Sequence, residues 1–442
     1  MKQAEALQAL TVTEAANTLC SLIEPRQFAQ NIKLHEALGR VLAVDYITPF
    51  PMPPFRRAAM DGYAVRSEDI VEAAPNNPVT LSVLGEIKAG HPLSLDGLTQ
   101  QQDQQDQAKP SYMQRTYQPM PVPRRGSARI YTGAPVPDEC DTLIVQEAIS
   151  QDQQQHHLNR ISVNKAYRQG DHIAEAGEDI VAGTKVLARG KTLRAKEIAI
   201  LAAYGQGEVA VYEKPRVTVI PIGDELLTPG QSLIPYHIYD ANSHMIAARL
   251  QELGANVQLV DPLPDQLETI ASALTRSLEQ SDVIITIGGV SVGDYDFVAQ
   301  AAEKAGGVPL FRKVLMRPGK PTSSFKVGNK LMISLSGNPS ACYVGLELFV
   351  KPTILKAAGS QHYENRYIQA TLTGDVKGCP FTRYIRSNAY WQGDKLCVDP
   401  LGNDKSGNIA AFSHANALAV IPSGAKGAVR GEVVSVLQLD CL

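Results

Sequence analysis

The chain has 442 residues, 44% of them hydrophobic and 20% charged, with a formal net charge of −3. That length suits roughly three domains at about 150 residues each, and the apolar fraction is ample for their cores. So small a net charge gives no global field for a polyanion, which excludes extended nucleic-acid or acidic-membrane binding and makes any anion site a local one.

The six cysteines, Cys20, Cys140, Cys342, Cys379, Cys397 and Cys441, are scattered and form none of the close pairs that zinc sites or small disulfide frameworks use. The N-terminus carries Glu5 and no apolar leader, and no run approaches the ~18 apolar residues of a membrane span. The expectation is a cytoplasmic protein with no nucleic-acid and no membrane partner.

From residue 11 to 42 apolar residues recur at helical spacing, with Thr13, Glu14 and Ala15 as the start and Pro25 as an interruption. This predicts an N-terminal helical segment. Pro49, Pro51, Pro53 and Pro54 then impose a loop that enters a strand at Met60-Asp61-Gly62-Tyr63-Ala64-Val65. Residues 79–149 alternate short apolar runs with turn signals, the pattern of a β-rich domain. The glutamine-rich tracts 100–107 and 151–157 interrupt it and read as polar surface insertions, with His156 and His157 solvated inside the second.

After Pro215 strands alternate with helices, which predicts a parallel-rich sheet with crossover helices. The predicted strands are 217–220, 257–260, 283–287 and 331–335, and the predicted helices are 242–253, 266–280, 297–305 and 341–357. Beyond Gly359 alternating segments return with Gly424, Gly427 and Gly431 as turn points, predicting a C-terminal β-domain that is barrel-like.

The chemistry is expected in the loops at the carboxyl ends of the parallel strands, where open α/β sheets bind ligands. The apolar run 283–287 leads into residues 288–296, where Gly288, Gly289 and Gly293 let backbone N–H groups approach a phosphate and Ser291 offers a hydroxyl. A tight structural turn is the plain alternative, and the strand-loop-helix context favours the ligand. A second strand ends in Gly223-Asp224-Glu225-Leu226, whose acids would otherwise serve as helix caps, and a third in Ser336-Gly337-Asn338-Pro339. Arg317 and Lys320, in a proline-constrained loop, would clamp an anion unless they are a solvated surface pair. Asp224, Glu225, Asp294 and Asp296 are candidates to hold Mg²⁺ between phosphates, since that ion takes one or two carboxylates plus ligand oxygens. No Ser/His/Asp elbow, zinc helix or Walker loop is present.

Taken in order, Met60-Asp61-Gly62-Tyr63-Ala64, Thr132-Gly133-Ala134-Pro135-Val136-Pro137, Gly177-Glu178-Asp179-Ile180, Gly223-Asp224-Glu225-Leu226, the glycines of 288–293, Pro318-Gly319-Lys320-Pro321 and Gly337-Asn338-Pro339 resemble the molybdopterin molybdenumtransferase family, which is similar to the E domain of gephyrin. The resemblance spans nearly the whole chain. It implies a homodimer of four-domain subunits in which the sheet edge faces the β-rich domain of the partner subunit. Within this chain the domains would be 1–50 with 166–215 (helical linker), 51–165 (β-rich with insertions), 216–358 (α/β, molybdopterin-binding) and 359–442 (β-barrel-like). The implied reaction inserts molybdate into adenylylated molybdopterin, giving molybdenum cofactor and AMP with Mg²⁺ required; other molybdenum-cofactor biosynthesis proteins are further expected partners. By motif position Asp61, Asp179, Glu225, Asp265 and Asp296 would be catalytic. Gly288, Gly289, Ser291, Gly293, Gly337 and Asn338 would bind substrate with the basic Lys313, Arg317 and Lys320, and Asp224, Glu225 and Asp296 would hold the metal. Two other readings stay open: a non-catalytic molybdopterin carrier or scaffold, and a molybdopterin adenylyltransferase. The chain departs from the family pattern at Arg56-Arg57-Ala58, where Asp-Asn-Ser is usual, at Ala174-Glu175-Ala176, where arginines are common, and at Ser336, which replaces a frequent proline.

Overall fold

The structure, a computed structural model, describes residues 9–26, 29–91, 120–149, 160–290, 297–401, 407 and 409–439. The chain divides into two units, residues 46–186 and the remainder. The glutamine-rich tracts, with His156 and His157, lie outside the described residues.

In the larger unit the first helix is Val12–Leu22. Its start lies just before the predicted one, because Thr11 caps it: the Thr11 hydroxyl accepts from Glu14 N at 3.2 Å, and Thr11 N donates to the Glu14 carboxylate at 2.8 Å. The helical spacing expected as far as residue 42 is not realised. Pro25 cannot continue the helix, and Ala29–Lys33 forms a strand antiparallel to Glu208–Tyr212, whose Val209 and Val211 are buried. Pairing with that distant strand overrides the local period.

The α/β part holds a six-stranded sheet in the order Asn256–Leu259, Arg216–Pro221, Val283–Ile287, Lys330–Leu335, Ser323–Val327 and Val308–Phe311. The first four strands are parallel, and Ser323–Val327 runs against both of its neighbours. Strand residues alternate between two cores. Val283, Ile285 and Ile287 pack with Ala15, Leu19, Ile246, Leu250 and Val344, whereas Ile284 packs with Ile270, Leu274, Val298 and Ala302. Both faces are thus covered by helices, which is why these strands read as unbroken apolar runs. The predicted helix 341–357 begins at Pro339, where proline suits a first helical position, and is broken by one π-helical turn at Leu346–Val350.

The C-terminal part is a closed five-stranded barrel. Thr382–Gln392, Lys395–Pro400, Tyr367–Leu372, Val433–Gln438 and Ala417–Ile421 pair in turn, and the last pairs back onto the first. Closure leaves no free edge, and Gly424, Gly427 and Gly431 take positive φ at its turns. The smaller unit contains a five-stranded sheet in the order Thr142–Val145, Gly62–Val65, Gly126–Ile130, Val79–Ile87 and Arg160–Val163, and a two-stranded one of Arg57–Ala58 with Ile173–Ala174. Among the described residues no helix is long and apolar enough to cross a membrane.

Candidate functional site at the carboxyl edge of the sheet

Three loops leave adjacent parallel strands at one edge and are stitched together beyond the ladder. Ile222 N donates to Ile287 O at 2.8 Å, Gly288 N to Leu335 O at 3.0 Å, and Gly223 N to Leu263 O at 3.0 Å. These bonds force the backbones so close that a Cβ at Gly288 would stand 2.2 Å from Ile222 O, and Gly288 and Gly289 both take positive φ. Only glycine meets both conditions.

The loops open onto a cavity of about 910 Å³. Asp224, Glu225, Asp265, Gly288, Gly289 and Gly337 all line it, so six of the sequence-assigned residues are brought together. Asn338 follows Gly337 directly and leads into the helix at Pro339. Asp265 N donates to Asp224 Oδ1 at 3.1 Å. Burial raises the Asp265 carboxyl above its ordinary value, and the negative charges of Asp224 and Glu225 raise it further. Such a cluster attracts a cation. Ser291, Gly293, Asp294 and Asp296 lie outside the described residues.

The cavity also takes residues that the motifs did not single out. Asp240 and Asn242 line it, and Asn242 Nδ2 donates to Gly337 O at 2.7 Å. The available signal was a polar helix start at Asn242 on a strand-following loop, which the sequence reading treated only as a boundary. Tyr239 and Ile409 supply apolar wall, the latter from the C-terminal part, where Phe412 packs on Tyr343 with ring centroids 5.1 Å apart.

Lys313, Arg317 and Lys320 are exposed and are not among the described residues lining the cavity. Met316–Arg317 instead extends the barrel by pairing with Thr382 and Arg383, and the Lys320 ammonium sits 4.8 Å from the centre of the Phe381 ring. Asp61 and Asp179 belong to the smaller unit. Asp61 Oδ1 accepts from Thr132 Oγ1 at 2.6 Å and from Thr132 N at 2.8 Å, and these two bonds hold its carboxyl below the ordinary range. Asp179 N donates to Met52 O at 3.0 Å. Of the two arginines that depart from the family pattern, Arg56 is committed to local structure, donating to the carbonyls of Cys140 at 3.1 Å and Pro137 at 3.0 Å.

Three family models match the chain in order. The MoeA N-terminal region (domain I and II) covers residues 10–205, a probable molybdopterin binding domain covers 218–356, and the MoeA C-terminal region (domain IV) covers 369–439. The molybdopterin molybdenumtransferase of Staphylococcus epidermidis is 35% identical over 93% of this chain and 91% of its own. The chain belongs to the molybdopterin molybdenumtransferase family. The Bacillus subtilis molybdopterin molybdenumtransferase is 34% identical over 97% of this chain and 94% of its own. The solved molybdopterin biosynthesis moeA protein of Pyrococcus horikoshii matches at a TM-score of 0.77 and 27% identity, over 98% of this chain and 100% of that one. A molybdopterin molybdenumtransferase is a transferase of molybdenum-cofactor biosynthesis, and the cavity is lined mainly by the part matched to molybdopterin binding, with Gly407 and Ile409 added from the C-terminal part.

Proposed function

We propose that this chain inserts molybdate into adenylylated molybdopterin, forming molybdenum cofactor and releasing AMP. One observation carries the reading: acidic and glycine-rich loops from adjacent parallel strands meet at a single cavity. The Gly288 N–H is held by Leu335 O, so the backbone N–H of Gly289 would receive the phosphates, and the apolar wall at Tyr239 and Ile409 would receive the ring portion of the ligand. Gly337, which lines the cavity, and Asn338, Ser291 and Gly293, by motif position, complete the proposed substrate-binding set, and Lys313, Arg317 and Lys320 are proposed, also on motif position alone, to hold molybdate. Asp61, Asp179, Glu225, Asp265 and Asp296 are proposed as catalytic; for Asp61, Asp179 and Asp296 this rests on motif position alone.

Asp224 and Glu225 suit Mg²⁺. Among the described residues no three His, Cys, Asp or Glu side chains enclose a metal, so a caged structural ion does not fit. An ion that takes one or two carboxylates and completes its shell with phosphate oxygens and water does fit the acid cluster. Once bound it would neutralise charge on the phosphate oxygens of the ligand. Asp224 and Glu225, with Asp296, would orient that ion toward the phosphates, while Asp265 sets the local charge. The same reading takes the active form as a cytoplasmic homodimer that exchanges its ligand with other proteins of cofactor biosynthesis.

The test is direct. Purified protein supplied with adenylylated molybdopterin, Mg²⁺ and molybdate should release AMP in step with cofactor formation. Ligand binding without AMP release would overturn the enzymatic reading in favour of a carrier, and consumption of ATP would favour an adenylyltransferase.

A further inference from the structure

The helix that supplies Asn242 to the cavity is pinned at its far end by a buried acid. Glu347 has no exposed surface and sits in the π-helical turn Leu346–Val350. Arg249, on the helix Asn242–Glu252, donates from Nε to Glu347 Oε1 at 2.8 Å and from Nη2 to Glu347 Oε2 at 3.4 Å. Lys351 Nζ lies 3.3 Å from Glu347 Oε2, and Asn365 Nδ2 donates to the Glu347 carbonyl at 2.9 Å. The remaining arm of Arg249 reaches Glu252 at 2.8 Å.

Two contacts therefore tie the same pair of segments at two levels. At the cavity, Asn242 holds Gly337 O; some seven residues along, or about 10 Å at helical rise, Arg249 holds Glu347. The two helices run in the same sense, and the fork of Arg249 on a carboxylate fixes both their rotation and their height. A buried ion pair adds little net stability compared with a packed apolar pair, so stability does not account for placing a charge here. The π turn costs regular hydrogen bonding as well, and such turns recur where a side chain must be aimed.

We propose that Glu347 is a positioning residue: through Arg249 it sets the register of the helix Asn242–Glu252 against the helix that starts at Pro339, and so holds Asn242 on Gly337 and shapes the cavity floor. Glu347 is not among the described residues lining the cavity and acts only through the helices.

The consequence for turnover rests on the proposed reaction, but the structural consequence does not, and the two are measured separately. Hydrogen–deuterium exchange on the ligand-free full chain compares wild type with Glu347→Gln. Because removing one member of a buried pair can unfold a chain, Arg249→Lys, which keeps the charge and loses the fork, serves as the second variant. Peptides covering 336–343 and 240–246 should exchange about tenfold faster in a folded variant, with barrel peptides unchanged. Acceleration confined to 247–252 and 345–351, or spread evenly over the chain, would overturn the proposal, since either leaves the pair as local or general glue. In the AMP-release assay the KM for adenylylated molybdopterin should rise about fivefold with kcat within about twofold, because the ligand meets a displaced floor. A merely structural defect lowers the active fraction and so kcat alone, and that result would also overturn it.

Discussion

Asp265 and Asp61 are the same residue type, are assigned to the same reaction by motif position, and are pushed in opposite directions by their surroundings. Asp265 lines the cavity, where burial and then the charges of Asp224 and Glu225 raise its carboxyl. Asp61 is exposed on the smaller unit, where two hydrogen bonds from Thr132 lower it. The first carboxylate belongs to a cluster short of positive charge; the second is satisfied and aimed. Sharing a motif set thus does not mean sharing a task. On the proposed function the cavity acids would receive a cation, and Asp61 would remain ionised in one orientation.

The largest effect is expected on the cavity side. Glu225→Gln keeps the size of the side chain and removes a charge from the cluster. AMP release measured in a single turnover should slow about 100-fold, the equivalent of losing a few kcal/mol of charge stabilisation. Mg²⁺ should raise the Tm of the ligand-bound wild type, and the variant should lose that rise. A loss of less than about threefold would reduce Glu225 to a rim residue and erase the contrast with Asp61. A smaller effect should follow Lys320→Ala. The KM for molybdate should rise about tenfold, as expected for losing a hydrogen bond to a charged oxyanion, while affinity for the pterin ligand holds. Its cation–π contact with Phe381 is worth about 0.5–1 kcal/mol, so Tm should fall little. A fall in Tm with no change in molybdate dependence would make the basic stretch a barrel anchor.

What the sequence made legible, and what it did not, follows from range. The strand Val283–Ile287 was readable to the residue because its apolar β-branched run is buried on both faces; Gly288 after it was read as part of a phosphate cradle, and its need to admit Ile222 O, the demand of a tight turn, was visible only in the fold. Asp224, Glu225 and Gly337 could be placed together because their strands flank Val283–Ile287 in one parallel sheet. Ala29–Lys33 was misread as helix because its pairing partner lies far along the chain, a contact with no local trace. Lys320 read as half of an anion clamp with Arg317, and its contact with the ring of Phe381, far along the chain, likewise left no local trace. Asn242 was visible as a helix start, but its bond to Gly337 depends on tertiary packing between two helices, including the buried Glu347 that no motif marks.

The smallest predicted effect tests the Asp61 side. In Thr132→Val the backbone bond to Asp61 Oδ1 remains while the hydroxyl bond at 2.6 Å is lost, so the carboxyl should move back up toward its ordinary value. A carboxyl whose folded pKa lies below its unfolded value, about 3.9, contributes stability that is present above that value and is lost as pH falls through the folded one. The wild type should therefore melt slightly above the variant at pH 7, by about a degree given the exposure of the pair, and the gap should close in acid. AMP release should slow only about threefold, since the carboxylate stays charged and loses only one of its two guides. A gap in Tm that persists unchanged into acid would assign the effect to packing of the valine. In that case the hydroxyl of Thr132 would not be what separates Asp61 from Asp265.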